Sequence, residues 1–320
     1  MFVLLCLSKS CNLKCEGCSA THTGATLDEK SLETIIATLS KMSNDNRITD
    51  IVMHGCETFM VNPVMLDRLI TWIRATLPAI KLSCQTNGTL IDDTEVFNVL
   101  VNHNVSMSTS YRGTEELFDK VTRVSGSYKK FVSGAEKIKK YMGGKLSAIL
   151  YYPTELEDEF LDNYKEIIDD AVRIGITNLK INEFESNVPN KRYFEFVTKC
   201  TEYIMEKQYS LALSPVTMLM KVFHGNGSLE CAWRHNCKTF VAVQLDGTIE
   251  GCNRGYKEYK PVYNECLQCE IYGWCSGGCE STRELCGYYP YCEDRKKLVK
   301  WVLANRLKLY LYYHVFKQII

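Results

Sequence analysis

The sequence predicts an α/β fold: a partial (β/α)6 TIM-like barrel over residues 1–210, then a small cysteine-rich domain over 211–292 and a C-terminal helix over 293–320. Three observations predict it. Six short apolar runs alternate with stretches of helical period through the first two thirds of the chain. Cysteine, glutamate and glycine motifs fall just after these runs, where a parallel α/β sheet or barrel gathers its functional residues. Near residue 211 the alternation stops, and residues 231–292 are rich in Cys, Gly, Tyr and Asn.

The expected strands are FVLLCLS (2–8), ITDIVMHG (48–55), IKLSCQT (80–86), NVSMSTS (104–110), LSAILYY (146–152) and NLKINEF (178–184). Between the first two, residues 27–42 place Leu32, Ile35, Ile36 and Leu39 on one helical face. Residues 63–77, 93–103, 128–141, 158–174 and 190–207 repeat that pattern. Strand–helix alternation of this kind implies parallel strands joined by right-handed crossovers. The loose 231–292 segment cannot fill a core well, so bound metal is its expected organiser. The tail LVKWVLANRLKLYLYYHVFKQII (298–320) is apolar but interrupted by Lys300, Arg306, Lys308 and Lys317. It reads as a helix packed on the barrel or on a partner, and membrane insertion is not expected.

Composition narrows the function. The chain has 320 residues, 46% of them hydrophobic, and 38 basic residues balance 38 acidic ones. Neutral net charge gives no general reason for stable, non-specific nucleic-acid binding or for attraction to an anionic membrane. Sixteen cysteines are many for this length. A disulfide framework would need an oxidising compartment. The start MFVLLCLSK has no basic n-region, so no export signal is expected. The chain reads as a cytoplasmic protein whose clustered thiols bind metal; isolated cysteines are small buried hydrophobes.

Cys11, Cys15 and Cys18 form a C-x3-C-x2-C array in the stretch CNLKCEGC, directly after the first expected strand. Three thiolates at this spacing can hold three corners of a cubane [4Fe–4S] cluster on one loop. A zinc site would take a fourth ligand, and His22 is near enough in sequence to supply it.

CNLKCEGC closely resembles the signature loop of the radical SAM superfamily. The resemblance implies a cluster whose fourth iron is chelated by S-adenosylmethionine, which is reductively cleaved to a 5′-deoxyadenosyl radical that abstracts a carbon-bound hydrogen. HGCET (54–58) stands where the family carries Gly-Gly-Glu-Pro, with Cys56 and Thr58 as departures; the resemblance assigns Glu57 to the SAM ammonium group. TNG (86–88) matches a frequent family segment. SMSTSYRGTEELFDKVTR (106–123) is similar to the SIDG…D…R stretch, which implies Ser108 near the SAM ribose and Arg123 near its carboxylate. Taken alone, capping of the next helix is an alternative role for Glu57, and a surface ion pair one for Arg123. Gly17 occupies a position where many members place an aromatic residue beside the adenine.

The second cysteine field resembles the SPASM domain. From Cys237 it reads C-x9-G-x4-C through Gly247 to Cys252, then C-x2-C-x5-C-x3-C through Cys266, Cys269, Cys275 and Cys279, with Cys292 beyond. The resemblance implies two auxiliary [4Fe–4S] clusters, three clusters in all. One takes Cys231, Cys237, Cys252 and Cys279; the other takes Cys266, Cys269, Cys275 and Cys292. Cys286 competes with Cys292 for the last place, and YCEDRKKL after Cys292 favours the latter. Cys6, Cys56, Cys84 and Cys200 remain, with Cys6 and Cys84 read as core residues.

Family members with SPASM domains mostly modify peptides or proteins. The resemblance therefore implies a radical SAM/SPASM oxidoreductase-type enzyme that oxidises or cross-links a peptide or protein. Its electron donor would be of the flavodoxin or ferredoxin kind. Anaerobic sulfatase-maturating enzymes place an aspartate base directly after the third cysteine of the first auxiliary set. Here that residue is Asn253, followed by Arg254, and a carboxamide cannot accept the proton. The first strand starts at about Phe2, so no fused leader-recognition domain is expected. A small molecule, nucleoside or nucleic acid as substrate, and a non-catalytic iron–sulfur scaffold, are the alternatives.

Overall fold

The computed structural model describes residues 1–18, 20–45, 48–93, 95–183, 189–234, 240–252 and 261–316. Its nine strands are β1 (Phe2–Ser8), β2 (Asp50–Gly55), β3 (Lys81–Thr86), β4 (Ser106–Ser110), β5 (Ser147–Tyr151), β6 (Asn178–Asn182), β7 (Ala212–Ser214), β8 (Phe240–Val243) and β9 (Ile249–Glu250). The helices of the repeating region are α1 (Glu29–Asp45), α2 (Pro63–Thr76), α3 (Glu95–Asn102), α4 (Glu115–Thr122), α5 (Ser127–Tyr141), α6 (Glu157–Asp162), α7 (Tyr164–Ile174), α8 (Tyr193–Glu206) and α9 (Val216–Phe223). Then come α10 (Asn264–Leu267), α11 (Tyr272–Cys275), α12 (Glu280–Cys286), α13 (Cys292–Ala304) and α14 (Arg306–Tyr310), with a π turn at Leu311–Phe316.

The chain divides into two units. The first comprises Met1–Ser110, Asp119–Gly144 and Asn236–Tyr259; the second comprises Tyr111–Phe118, Lys145–His235 and Lys260–Ile320. In the first unit the strand order is β4-β3-β2-β1-β8-β9, parallel except for the antiparallel β8–β9 hairpin. Alternation sets its two faces. Val3, Leu5, Ile51, Met53, Leu82, Cys84 and Met107 are buried on one face. On the other, Leu4, Cys6 and Ala242 form an apolar cluster with Phe2, Val52 and Phe240, and Phe2 stacks on Phe240 at 5.0 Å. Towards β3 and β4 that second face turns polar and half-buried, with Gln85, Ser108 and Ser110.

Helix starts follow local chemistry. Asp28 and Ser31 bond reciprocally at the head of α1, each backbone N–H to the other's side chain at 2.8 Å. Asn62 Oδ1 accepts from Val64 N–H at 2.9 Å, with Pro63 as the first helical residue of α2.

In the second unit β5, β6 and β7 are adjacent and parallel. Their core is aromatic: Tyr152 stacks on Phe196 at 4.4 Å, and the Tyr193 hydroxyl donates to Ile181 O at 2.9 Å. The tail packs within this unit. Leu309, Tyr312 and Tyr313 are buried, and the Tyr312 hydroxyl donates to Ile204 O at 2.7 Å and Tyr209 O at 2.6 Å. No helix among the described residues is long and apolar enough to cross a membrane.

The six predicted strands are present; β1 has its predicted bounds, and the others are shorter among the described residues, as fraying edges lead one to expect. Three differences have physical causes. The predicted helix 158–174 is broken into α6 and α7 at Asn163, whose backbone (φ −101°, ψ 21°) is not helical. β7, β8 and β9 are additional strands, and β8 pairs with β1 from far along the chain. The segment 231–292, read as lacking regular periodicity, contains short helices whose length is below what periodicity can register.

Candidate active site

The loop after β1 is built by backbone hydrogen bonds. Lys9 N–H donates to Ala25 O at 2.7 Å, and Leu27 N–H to Leu7 O at 3.0 Å, closing the loop at its base. Its far side is tied to the end of α4, where Lys14 N–H donates to Thr122 O (3.1 Å) and Glu16 N–H to Val121 O (2.8 Å). Cys11, Cys15 and Cys18 lie on this loop. Cys18 N–H turns back onto Cys15 O at 3.3 Å, and Gly17 takes the left-handed φ of +62°. That backbone state disfavours the aromatic residue the family often places there.

β2 ends against the same loop. Gly55 has φ +136°, and a Cβ there would lie 2.4 Å from Ser8 O, so only glycine fits. The close approach lets Cys56 N–H donate to Ser8 O at 2.8 Å. It also directs Glu57 inward, where it is 1% exposed. Glu57 Oε1 accepts from the Thr86 hydroxyl (2.6 Å) and Phe59 N–H (3.0 Å); Oε2 accepts from Asn87 N–H (2.7 Å). Glu57 therefore caps the short turn Thr58–Met60, and Oε2 keeps acceptor capacity. Burial pushes its carboxyl above the ordinary value.

Asn87 links these parts. Its Nδ2 donates to Asn12 Oδ1 at 2.9 Å and approaches Cys11 Sγ at 3.7 Å, while its Oδ1 accepts from Thr89. Leu13 N–H also points at Cys11 Sγ, at 3.4 Å. Burial raises the Cys11 thiol to about 11, and the two N–H donors pull the other way by favouring the thiolate. Cys18 Sγ lies 3.5 Å from His22 Nε2. Cys56 sits within electrostatic range of Cys18, with its Sγ 3.8 Å from Thr21 O. No three His, Cys, Asp or Glu side chains among the described residues converge on one point as ligands of a single ion. A cubane does not require that, because each thiolate binds a different iron.

Ser108 lies on β4 opposite Gln85 and donates to its Oε1 at 2.5 Å. Arg123, at the end of α4 with φ +55°, reaches Glu16 Oε2 at 3.6 Å. Asp119 holds this turn: its carboxylate accepts from Gly126 N–H (2.6 Å), Tyr128 N–H (2.9 Å) and the Ser127 hydroxyl (2.8 Å). The first unit thus brings the three-cysteine loop, Glu57 and Arg123 together, with Ser108 two strands over from Glu57.

The second unit gathers other thiols. Cys266, Cys275 and Cys292 lie within electrostatic range of one another, and Lys296 lies in range of Cys269 and Cys292. Cys286 sits at the end of α12. Cys231 and Cys279 belong to the second unit and Cys252 to the first. Cys237, Asn253, Arg254 and Lys317 lie outside the described residues.

Two side chains beside these thiols escaped the sequence reading. Arg295 is fully buried, bidentate on Glu183 (Nε–Oε1 2.7 Å, Nη2–Oε2 2.5 Å), and its Nη1 approaches Cys275 Sγ at 3.4 Å. Arg283 Nη2 lies 3.3 Å from Cys266 Sγ. Its Nε is buried with no hydrogen-bond partner among the described residues. Buried cations facing thiols fit a group that makes those thiols anionic, as an iron–sulfur cluster does.

A mostly parallel α/β sheet bearing a three-cysteine loop at the carboxyl end of its first strand defines an enzyme class in which an iron–sulfur cluster acts on S-adenosylmethionine. The chain belongs to the Radical SAM superfamily, whose profile matches residues 5–178. It is a radical SAM enzyme, with the family's [4Fe–4S] cluster and S-adenosylmethionine as cofactors. Among solved structures, it is similar to native anSMEcpe with bound AdoMet at 18% identity and TM-score 0.79, covering 96% of this chain and 98% of that one. The structure of anSMEcpe with bound AdoMet and Cp18Cys peptide matches at 17% identity and TM-score 0.77, over 96% and 98%. SuiB of Streptococcus suis bound to precursor peptide SuiA matches at 16% identity and TM-score 0.62, over 88% and 72%. At these identities the likeness is one of fold: a radical SAM partial barrel with a cysteine-rich C-terminal region. No curated protein matched the sequence.

Proposed function

We infer that this enzyme abstracts a carbon-bound hydrogen from a peptide or protein, leading to oxidation or cross-linking. Cys11, Cys15 and Cys18 would hold the catalytic cluster, and Glu57, Ser108 and Arg123 would bind S-adenosylmethionine. When bound, the cluster and S-adenosylmethionine supply a carbon-centred radical strong enough to take hydrogen from carbon.

The observation that carries the SAM contacts is Glu57. Its carboxylate is buried at the end of β2 with acceptor capacity left on Oε2, suited to an ammonium group. Asn12, Asn87 and Thr89 hold the cysteine loop against that carboxylate. Ser108 presents a hydroxyl from β4, and Arg123 a guanidinium beside the loop.

The peptide substrate is supported by fold likeness over nearly the whole chain to anSMEcpe with a bound peptide and to SuiB with its precursor peptide. The C-terminal region is read as a SPASM domain over 211–292, following a barrel over 1–210 and preceding a helix over 293–320. Two auxiliary clusters would use Cys231, Cys237, Cys252 and Cys279, and Cys266, Cys269, Cys275 and Cys292. Cys292 lies within electrostatic range of Cys266 and Cys275, as ligands of one cluster would. A flavodoxin- or ferredoxin-type donor in the cytosol would supply the electron.

The test is incubation with S-adenosylmethionine, reductant and substrates deuterated on carbon. Deuterium should pass from a peptide into 5′-deoxyadenosine. Transfer from a nucleoside or sugar, with none from peptides encoded beside the gene, would overturn the assignment.

A further inference from the structure

Arg283 on α12 and Arg295 on α13 each reach one cysteine of the second thiol group. Arg283 is 8% exposed, with Cζ 4.0 Å from the Tyr263 ring centre, and Arg295 lies between Trp233 (4.3 Å) and Tyr289 (4.6 Å). Their charge balance differs. Arg295 is neutralised by the buried Glu183 and also donates to Ala232 O at 2.9 Å. For Arg283 the paired carboxylate is Glu265, 3.6 Å away and 69% exposed. Among the described residues Arg283 also donates to Gly277 O at 3.2 Å and Cys266 Sγ at 3.3 Å. Glu280, one turn earlier on α12 and 1% exposed, accepts the Tyr263 hydroxyl at 2.7 Å, so a buried carboxylate shares this cluster, yet Arg283 Nε has no hydrogen-bond partner among the described residues. A thiolate at Cys266 would complete the compensation of the guanidinium.

We propose that Arg283 and Arg295 are positioning residues for the second auxiliary cluster, donating N–H···S bonds to the Cys266 and Cys275 thiolates and raising the cluster's reduction potential. The inference rests on the reading that Cys266, Cys269, Cys275 and Cys292 hold that cluster. One-electron reduction adds a negative charge to the ligated core. Fixed positive charge and donors at sulfur therefore stabilise the reduced state more than the oxidised one. The aromatic walls lower the local dielectric and strengthen the effect. Arg283 contributes more than Arg295, because Glu183 already cancels most of the field of Arg295.

The test is a potentiometric titration of the reconstituted holoenzyme followed by electron paramagnetic resonance, with iron counted on the same samples. The catalytic cluster is recognised by its spectral change on adding S-adenosylmethionine. In Arg283→Gln one of the two SAM-insensitive signals should move to more negative potential while the other stays. Arg283→Lys, which keeps the charge but not the planar fork, should fall between parent and Gln. Full iron content with both signals unmoved in the Gln variant overturns the tuning role and leaves the cluster reading intact. If Arg283→Gln loses iron, the Lys variant decides: an unmoved signal there overturns the proposal. A parent protein with iron for the catalytic cluster alone overturns the cluster reading, and this inference with it.

Discussion

The backbone N–H of Asn87 donates to Glu57 Oε2 at 2.7 Å, so the end of β3 holds the carboxylate at the end of β2 in place. The same carboxylate accepts the Thr86 hydroxyl, and Asn87 reaches on to Asn12 in the cysteine loop. Glu57→Gln keeps the shape but loses the charge. It should weaken binding of S-adenosylmethionine by roughly 1.5–3 kcal/mol, the range for a charge-assisted hydrogen bond. Calorimetric titration of the reconstituted protein measures this, and unaltered affinity would remove Glu57 from the site.

Glu57 also makes a pH prediction. Burial raises its pKa, against the opposing pull of the bonds it accepts from Thr86, Asn87 and Phe59. The folded state then holds the proton more tightly than the unfolded chain. The resulting stability is present below the ordinary carboxyl pKa and is lost as pH rises through the raised value. Glu57→Gln cannot ionise, so it should gain stability relative to the parent across that window. Urea unfolding of the metal-free proteins at a series of pH values reads the difference; a constant offset would contradict a carboxyl whose burial raises its pKa.

Gly55→Ala should destabilise the protein by about 1–3 kcal/mol, because a Cβ 2.4 Å from Ser8 O forces β1 and β2 apart in a backbone state alanine resists. Thermal unfolding gives the cost. Binding of S-adenosylmethionine should fall as well, since Gly55 precedes Cys56 and Glu57. A variant with parental melting temperature would show that the strand ends do not meet as described.

Asn87→Ala removes the bonds to Asn12 and Thr89 and the approach to Cys11, at a cost of about 1–3 kcal/mol. The catalytic cluster should then lose iron faster to a chelator, while iron in the C-terminal region is released at the parental rate. Uniform release from all sites would argue against this network as the support of the loop.

Truncation after Ala304 removes Leu309, Tyr312 and Tyr313, each a buried side chain worth about 1.5–3 kcal/mol. The shortened protein should melt earlier and associate through the surface of α8 it uncovers. Sedimentation and unfolding indistinguishable from the full chain would refute the docking of the tail.

The strands were legible where an apolar run stood between helical stretches, as in β1 through β6. β8 was not, because its partner β1 lies far back in the chain and the surrounding segment is dominated by Cys, Gly and Asn. α4 was hidden inside a stretch read for its motif. The cysteines were legible because ligand spacing is written locally. Arg283 and Arg295 were not: Arg295 finds Glu183 112 residues away, and no local pattern marks a charge that will be buried. The capping role of Glu57 was visible as an alternative, but its bonds to Thr86 and Asn87 depend on the β2–β3 register.

Iron and sulfide content of the anaerobically reconstituted protein separates three clusters from one. The parent should hold about twelve of each per chain, and about eight should remain after Cys11, Cys15 and Cys18 are replaced by Ala, from three four-iron clusters of which one is removed. A parent with about four iron, or with zinc in its place, would contradict the three-cluster reading.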